Sequence, residues 1–187
     1  MNILVIGSGA REHAIVRALE RSPKDKEIFC LGSNVNPGIA ELCADLTVAN
    51  INDTHTITSY AEKRDVDLAI IGPENPLAVG AADVLWDRDV RVVGPRKDLA
   101  QIETSKAFTR DLLTEYNIPA CPKYKTFSSL SGVAEFLGEL GENYVVKYDG
   151  LAGGKGVKVS GDHLHSHDDA KIYCQELVEK GGAFVLE

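Results

Sequence analysis

Apolar residues follow two rhythms in the first hundred positions. Residues 2–6 form a short apolar run, as in a strand buried on both faces. After Gly7-Ser8-Gly9, the residues Ala14, Ile15, Ala18 and Leu19 recur at helical spacing. The alternation then repeats. Ile28–Leu31, Leu46–Val48, Leu68–Ile71 and Val90–Val93 read as strands. Between them lie a helix through Ile57, Tyr60 and Ala61, capped by Asp53-Thr54, and a helix from Leu77 to Trp86. Strand–helix alternation predicts a doubly wound parallel sheet.

The character changes near residue 100. Thr104 to Tyr116 reads as an amphipathic helix ended by Asn117-Ile118-Pro119, with Ala107, Phe108 and Leu112 on one face. A strand over Lys123–Phe127 follows, then a helix carrying Val133, Phe136, Leu137 and Leu140 at i, i+3, i+4 and i+7. Tyr144–Lys147 and Val157–Val159 are extended around a Gly-rich loop. Ser166 with Asp169 resembles a capping box that opens a helix from about Asp168 to Val178, and Ala183–Glu187 is a last strand. The expected organisation is an α/β domain over 1–102, a linking helix and connection over 103–122, and a small α+β lobe over 123–187. The chain stops at Glu187 inside an apolar strand pattern, so a piece of a longer protein is expected.

Composition narrows the function. The 187 residues are 44% hydrophobic and 26% charged, ordinary for a globular protein. A net charge of −8 argues against a sequence-independent nucleic-acid binder, which needs a basic footprint. The N-terminus runs straight into a strand pattern with no basic leader, and no apolar run reaches membrane length. Cys30, Cys43, Cys121 and Cys174 are widely spaced and form no C-x-x-C pair; they read as reduced thiols of a cytosolic protein.

The chemistry concentrates in Tyr144-Val145-Val146-Lys147-Tyr148-Asp149-Gly150-Leu151-Ala152-Gly153-Gly154-Lys155-Gly156-Val157. A strand delivers Lys147, and a Gly-rich loop carries Lys155. Glycine lets backbone N–H groups approach an anion, and lysines add point charges suited to phosphate. A P-loop is excluded, because Gly156 stands where Ser or Thr should hold the metal and a strand follows instead of a helix. A hairpin flap over nucleotide phosphates fits, against a plain hairpin turn with two solvated lysines. Gly7-Ser8-Gly9-Ala10-Arg11-Glu12 has two glycines of a dinucleotide fingerprint, but Glu12 takes the third place, where a bulky acid is expected to spoil helix–strand packing. The second strand ends without an acid for a ribose, so NAD is disfavoured, while Arg11 beside a helix start still suits a phosphate. Gly72-Pro73-Glu74-Asn75-Pro76 follows a strand's carboxyl end and reads either as a ligand loop or as a Pro-stiffened turn. His163, His165 and His167 have period-2 spacing, but no acid or thiol completes a metal set, and a solvated turn is the better reading.

Four segments together carry a resemblance. Val5-Ile6-Gly7-Ser8-Gly9-Ala10-Arg11-Glu12-His13-Ala14, Gly72 to Leu77, Ser105-Lys106-Ala107-Phe108 and Lys147 to Val157 are similar, in order and spacing, to the phosphoribosylamine–glycine ligases, ATP-grasp enzymes of purine biosynthesis also called glycinamide ribonucleotide synthetases. Ala10 stands where the family usually has Gly, Asn75 where Ala is common, and Tyr148 and Gly153 where Ala is frequent. The resemblance implies a pre-ATP-grasp, Rossmann-like domain followed by a small ATP-grasp lobe in an incomplete ATP-grasp fold. It implies ATP-dependent joining of glycine to 5-phosphoribosylamine through a glycyl phosphate, in the cytoplasm, with ATP and Mg2+ or Mn2+. Lys106 and Lys147 would contact ATP phosphates from the floor, and Gly153, Gly154, Lys155 and Gly156 would form the flap, with Lys147 and Lys155 the catalytic pair. Glu187 would meet the adenine amino group. Gly9, Arg11, Glu74 and Pro76 would lie at phosphoribosylamine. No metal ligand falls in this chain; they are expected downstream, and residues 1–187 alone are expected to be inactive. Partners are small molecules, not nucleic acid or membrane, and a monomer is expected. Another ATP-grasp ligase or carboxylase and a non-catalytic nucleotide-binding module are the alternatives.

Overall fold

The computed structural model describes residues 1–187. They fall into two compact units, Met1–Ala100 and Gln101–Glu187. The first contains β1 (Asn2–Ile6), α1 (Ala10–Glu20), β2 (Glu27–Gly32), the short α2 (Pro37–Ala40), β3 (Asp45–Val48), α3 (Thr54–Lys63), β4 (Leu68–Ile71), α4 (Glu74–Ala78), α5 (Ala81–Trp86) and β5 (Arg91–Val93). Its five strands are all parallel, in the order β3-β2-β1-β4-β5. The apolar runs explain this, because both faces are covered. Leu4, Ile6, Phe29 and Leu31 pack with Ile57 and Ala61 of α3 and Leu85 of α5. Val5, Ile28 and Cys30 point the other way, onto Val16 of α1 and Ile39 of α2. The order reverses between β1 and β4. In such sheets the crevice for a ligand lies at the carboxyl ends flanking the reversal. Those ends carry Gly7–Arg11 after β1 and Gly72–Pro76 after β4.

The segment expected to be one helix over Leu77–Trp86 is two. Gly80 adopts φ +89 and separates α4 from α5, a backbone state that an apolar spacing pattern does not encode. Helix α4 begins at Glu74, inside the stretch that reads as a loop. Pro76 is tolerated because N–H groups in a helix's first turn have no intrahelical partner. The expected cap of α3 is present, Asp53 accepting from the His55 N–H at 3.1 Å.

Helix α6 (Lys97–Thr104) lies outside the elements expected from sequence; Ala100 is its one buried residue, and its Leu99 and Ile102 are exposed. Helix α7 (Lys106–Glu115) begins later than the pattern suggests, because Ser105 is extended and its Oγ accepts from the Phe108 N–H at 3.0 Å. There follow β6 (Lys125–Phe127), α8 (Val133–Leu140), β7 (Val145–Tyr148), β8 (Val157–Val159), α9 (His167–Glu179) and β9 (Phe184–Leu186). The four strands are antiparallel in the order β6-β9-β7-β8. One face buries Phe127, Val146, Phe184 and Leu186 against Val133, Phe136 and Leu137 of α8 and Ala170, Tyr173, Cys174 and Leu177 of α9. Phe127 pairs with Phe184 across the strands, and their rings stack 5.5 Å apart. Ser166 caps α9 by accepting from the Asp169 N–H at 3.1 Å; Asp169 accepts instead from the His165 N–H, so only half of the expected capping box forms.

Candidate functional site

The period of two fixes what the second sheet presents. Val146 and Leu186 face the helices, so Val145, Lys147, Val185 and Glu187 share the opposite face. Lys147 pairs with Val157 across the hairpin, which sends Lys158 to the helix side, where its ammonium lies 3.9 Å from the centre of the Tyr173 ring. Of the lysines on these two strands, Lys147 alone is directed to the face opposite α8 and α9.

Glu187 Oε1 receives the Lys147 ammonium, and Glu187 Oε2 receives Arg110 Nε of α7 at 2.7 Å. The carboxylate is 9% exposed, against 23% for Lys147 and 20% for Arg110, so all three are largely withdrawn from water. Burial pushes the Glu187 carboxyl up, but the hydrogen bonds from Arg110 and Lys147 outweigh it and hold the group below its ordinary 4.5. Main-chain bonds with Val145 in both directions keep the residue in register, at 2.8 and 3.1 Å.

The flap closes at its mouth, the Tyr148 N–H donating to Gly156 O at 2.7 Å. Gly153 (φ +54) and Gly154 (φ +80) are left-handed, and a Cβ on either would meet nothing within 4 Å. The loop therefore stands clear of the body, with Lys155 exposed at its tip and in no ion pair. At its base Asp149 reaches the start of α7, and Lys106 Nζ donates to Gly150 O at 2.9 Å. Lys147 and Glu187 are thus joined on one sheet face, Lys106 is tied to the base of the loop, and Lys155 stands exposed at its tip.

The second group lies at the carboxyl ends of β1 and β4. Gly7 has φ +113, and Gly9 is the extended N-cap of α1. Arg11, 60% exposed, points one nitrogen at Glu74 Oε1 and another at Glu12 Oε1, each at 3.5 Å. Gly9, Arg11 and Glu74 come together here, whereas Pro76 is buried within α4. Glu12 corrects the sequence reading. It does not spoil packing but is buried, its Oε2 accepting from the Gly9 N–H at 2.6 Å. The space for it comes from glycine: a Cβ on Gly72 would lie 2.1 Å from Glu12 Oε1, and one on Gly7 2.9 Å from Glu12 Cδ.

Other reactive groups are quiet. All four cysteines are unpaired, and burial pushes the Cys30 and Cys174 thiols up to about 12, far from a nucleophilic thiolate. His167 Nε2 is bonded to Gly141 O at 2.9 Å, and His163 Nδ1 accepts from the Val159 N–H. No three His, Cys, Asp or Glu side chains are gathered to hold a metal ion. No helix is long and apolar enough to cross a membrane.

Comparison with known proteins gives this geometry its context. Residues 1–103 match the family described as "Phosphoribosylglycinamide synthetase, N domain", and residues 104–185 match "Phosphoribosylglycinamide synthetase, ATP-grasp (A) domain". The chain belongs to the phosphoribosylglycinamide synthetase family. Its synthetase relatives include the phosphoribosylamine–glycine ligases of Methanosarcina barkeri, 42% identical over 187 residues, and Methanococcus vannielii, 47% identical over 194. Both alignments take in 100% of this chain but only 43% and 44% of those relatives, so the chain spans less than half their length. In fold, the chain is similar to the Thermotoga maritima phosphoribosylamine–glycine ligase (TM-score 0.75, 23% identity, all of this chain and 43% of that one). It is also similar to an N5-carboxyaminoimidazole ribonucleotide synthetase crystallised with ADP (TM-score 0.73, 19% identity, all of this chain and 46% of that one). The architecture is the N-terminal part of an ATP-grasp ligase.

Three residues of the chain escape sequence reasoning. Arg110 sits in a helix whose spacing signals only its apolar face, Asp149 passes for a turn residue, and Glu12 for an obstacle. The available signal was unused acidity. Asp149 and Glu187 are the acids that interrupt or end a segment otherwise suited to phosphate, and such acids ask for nearby donors.

Proposed function

We propose that the protein of which this chain is part joins glycine to 5-phosphoribosylamine at the expense of ATP, giving glycinamide ribonucleotide, ADP and phosphate. The observation that carries the reading is Lys147 on the sheet face opposite α8 and α9, followed by a free-standing glycine loop that carries Lys155, in a chain matched along its length by the phosphoribosylglycinamide synthetase family. A carboxylate resists attack by an amine because its leaving group would be oxide. Transfer of the γ-phosphoryl group to a glycine oxygen releases ADP and makes a mixed anhydride. The amine of phosphoribosylamine then attacks the acyl carbon, phosphate leaves with the C–O electrons, and the nitrogen loses a proton. Charge on the moving phosphoryl group is met by positioned cations. Lys106 and Lys147 are suited to the phosphates from below, and Lys155 with the N–H groups of Gly153, Gly154 and Gly156 from above. Glu187 spends two of about four lone-pair sites on Arg110 and Lys147, leaving acceptors for an adenine amino group. In the first unit, Gly9, Arg11 and Glu74 suit a phosphorylated sugar amine: main-chain N–H and guanidinium for phosphate, carboxylate for the amine. Pro76 stands apart from them, buried within α4.

Mg2+ or Mn2+ would accompany ATP; no three His, Cys, Asp or Glu side chains of this chain are gathered to hold such an ion, and no step here is routed through one. The unpaired thiols suit a reducing cytoplasm.

The test is ADP release by the full-length protein. ADP formation that requires both glycine and phosphoribosylamine supports the reading. Turnover with bicarbonate or a different amino acid in place of glycine would assign it to another ATP-grasp class, and ATP binding without turnover to a nucleotide-binding module.

A further inference from the structure

The start of α7 is already filled. Asp149 Oδ1 accepts from the Lys106 N–H at 2.6 Å and from the Ala107 N–H at 3.2 Å, and Asp149 Oδ2 accepts from Ser105 Oγ at 3.1 Å. Ser105 Oγ in turn accepts from the Phe108 N–H at 3.0 Å, so the first three amides of the helix all have partners. A carboxylate is favoured there by the helix dipole as well as by the bonds themselves. The arrangement is reciprocal. The side chain of residue 149 holds the main chain of residue 106, while the side chain of Lys106 holds the main chain of Gly150 at 2.9 Å. Asp149 is itself anchored to the sheet, its N–H donating to Ala183 O at 2.9 Å. One residue later the flap begins, and a Cβ added to Gly153 or Gly154 would meet nothing within 4 Å.

We infer that Asp149 is a positioning residue: it is the fixed hinge of the flap, and by clasping the first turn of α7 it sets where the Lys106 ammonium stands beneath the bound phosphates. Two consequences separate it from a simple helix cap. The amides at the α7 N-terminus are spent on Asp149, so phosphate recognition by this helix falls to the Lys106 side chain. An ammonium has three donors; one is committed to Gly150 O, and two remain to face the nucleotide. Asp149 therefore acts through Lys106, and its removal misplaces that lysine without touching the substrate itself. The inference rests on the nucleotide site assigned under Proposed function.

The experiment uses the full-length enzyme and measures ATP and ADP binding by calorimetry beside steady-state kinetics, for Asp149→Ala, Asp149→Asn, Lys106→Met and the Asp149→Ala/Lys106→Met pair. Asp149→Ala is expected to weaken nucleotide binding and raise the KM for ATP by about ten- to hundredfold, the range for losing hydrogen bonds to a charged group. The KM for glycine should stay unchanged. Asp149→Asn, which keeps the acceptor oxygen for both amides, should recover most of the loss, and the double variant should bind ATP no more weakly than Lys106→Met alone. Asp149→Ser replaces the alanine variant should that one fail to fold. Losses that multiply in the double variant, an asparagine variant as poor as the alanine one, or ATP and glycine KM rising together would overturn the inference. Wild-type enzyme that binds ATP yet makes no glycinamide ribonucleotide would sink the functional reading alone; the binding measurements would still judge Asp149.

Discussion

Lys147 and Lys155 carry the same charge in opposite surroundings. Lys155 is exposed and unpaired, so its replacement by alanine should leave the fold within about 0.5 kcal/mol of wild type while lowering ligase turnover by about 10²-fold. Lys147 is paired with a carboxylate that is 9% exposed. Lys147→Ala should cost turnover and also about 1–3 kcal/mol of stability, because Glu187 loses one of two partners. Thermal melts of both variants alongside turnover in the full-length enzyme check this; equal melting temperatures would remove the distinction. Glu187 has a pH signature as well. Its carboxyl is held below the ordinary value in the folded chain, so its contribution is full above that ordinary value and is lost as pH falls through the depressed one. Melts between about pH 7 and pH 3 should show a loss of stability below the usual carboxylate range that is shallower in Glu187→Gln. A variant with the same slope as wild type would mean that Arg110 and Lys147 do not stabilise the ionised form.

At the scale of elements, the flap and its strands have opposite expectations. Strands β7 and β8 are paired and half-buried, whereas residues 151–155 have little packed against them. Amide exchange in the full-length protein should be fast across 151–155 and slow at Val146, and ATP should slow the loop selectively. A loop as protected as β1 without nucleotide would rule out a closing flap. The same contrast governs what was legible in sequence. Period-2 alternation and the Gly-rich interval gave the hairpin, and the repeated apolar runs gave the parallel sheet with the carboxyl-end loops of β1 and β4. What stayed hidden depends on contacts distant in sequence. Asp149 meets Lys106 across 43 residues, and Arg110 meets Glu187 across 77, and no local spacing encodes either. Helix α6 has only Leu99, Ala100 and Ile102 to mark it in a short stretch, and the break at Gly80 is hidden because apolar periodicity is blind to the sign of φ.

For the molecule as a whole, the residues described supply cations and a flap but no set of ligands for a divalent ion. A divalent ion would supply charge neutralisation and orientation for phosphoryl transfer beyond what lysines give. Residues 1–187 on their own are therefore expected to release no ADP with glycine and phosphoribosylamine present, while the full-length protein does. Glycine-dependent ADP from the purified piece, above a Lys155→Ala control, would show that the remaining part is dispensable.

The pairing of Lys147 with Val157, set against Lys158 on the reverse side, makes this hairpin a parity device. One residue added within β7 would turn every following side chain over, driving Lys147 toward Tyr173 and the aromatic interior. One residue added between Leu151 and Lys155 would lie beyond the closing bond from Tyr148 to Gly156 and alter neither strand. Address and reach are thus written in separate places. The strands fix which lysine shares a face with Glu187, and the length of the glycine loop is set separately from them.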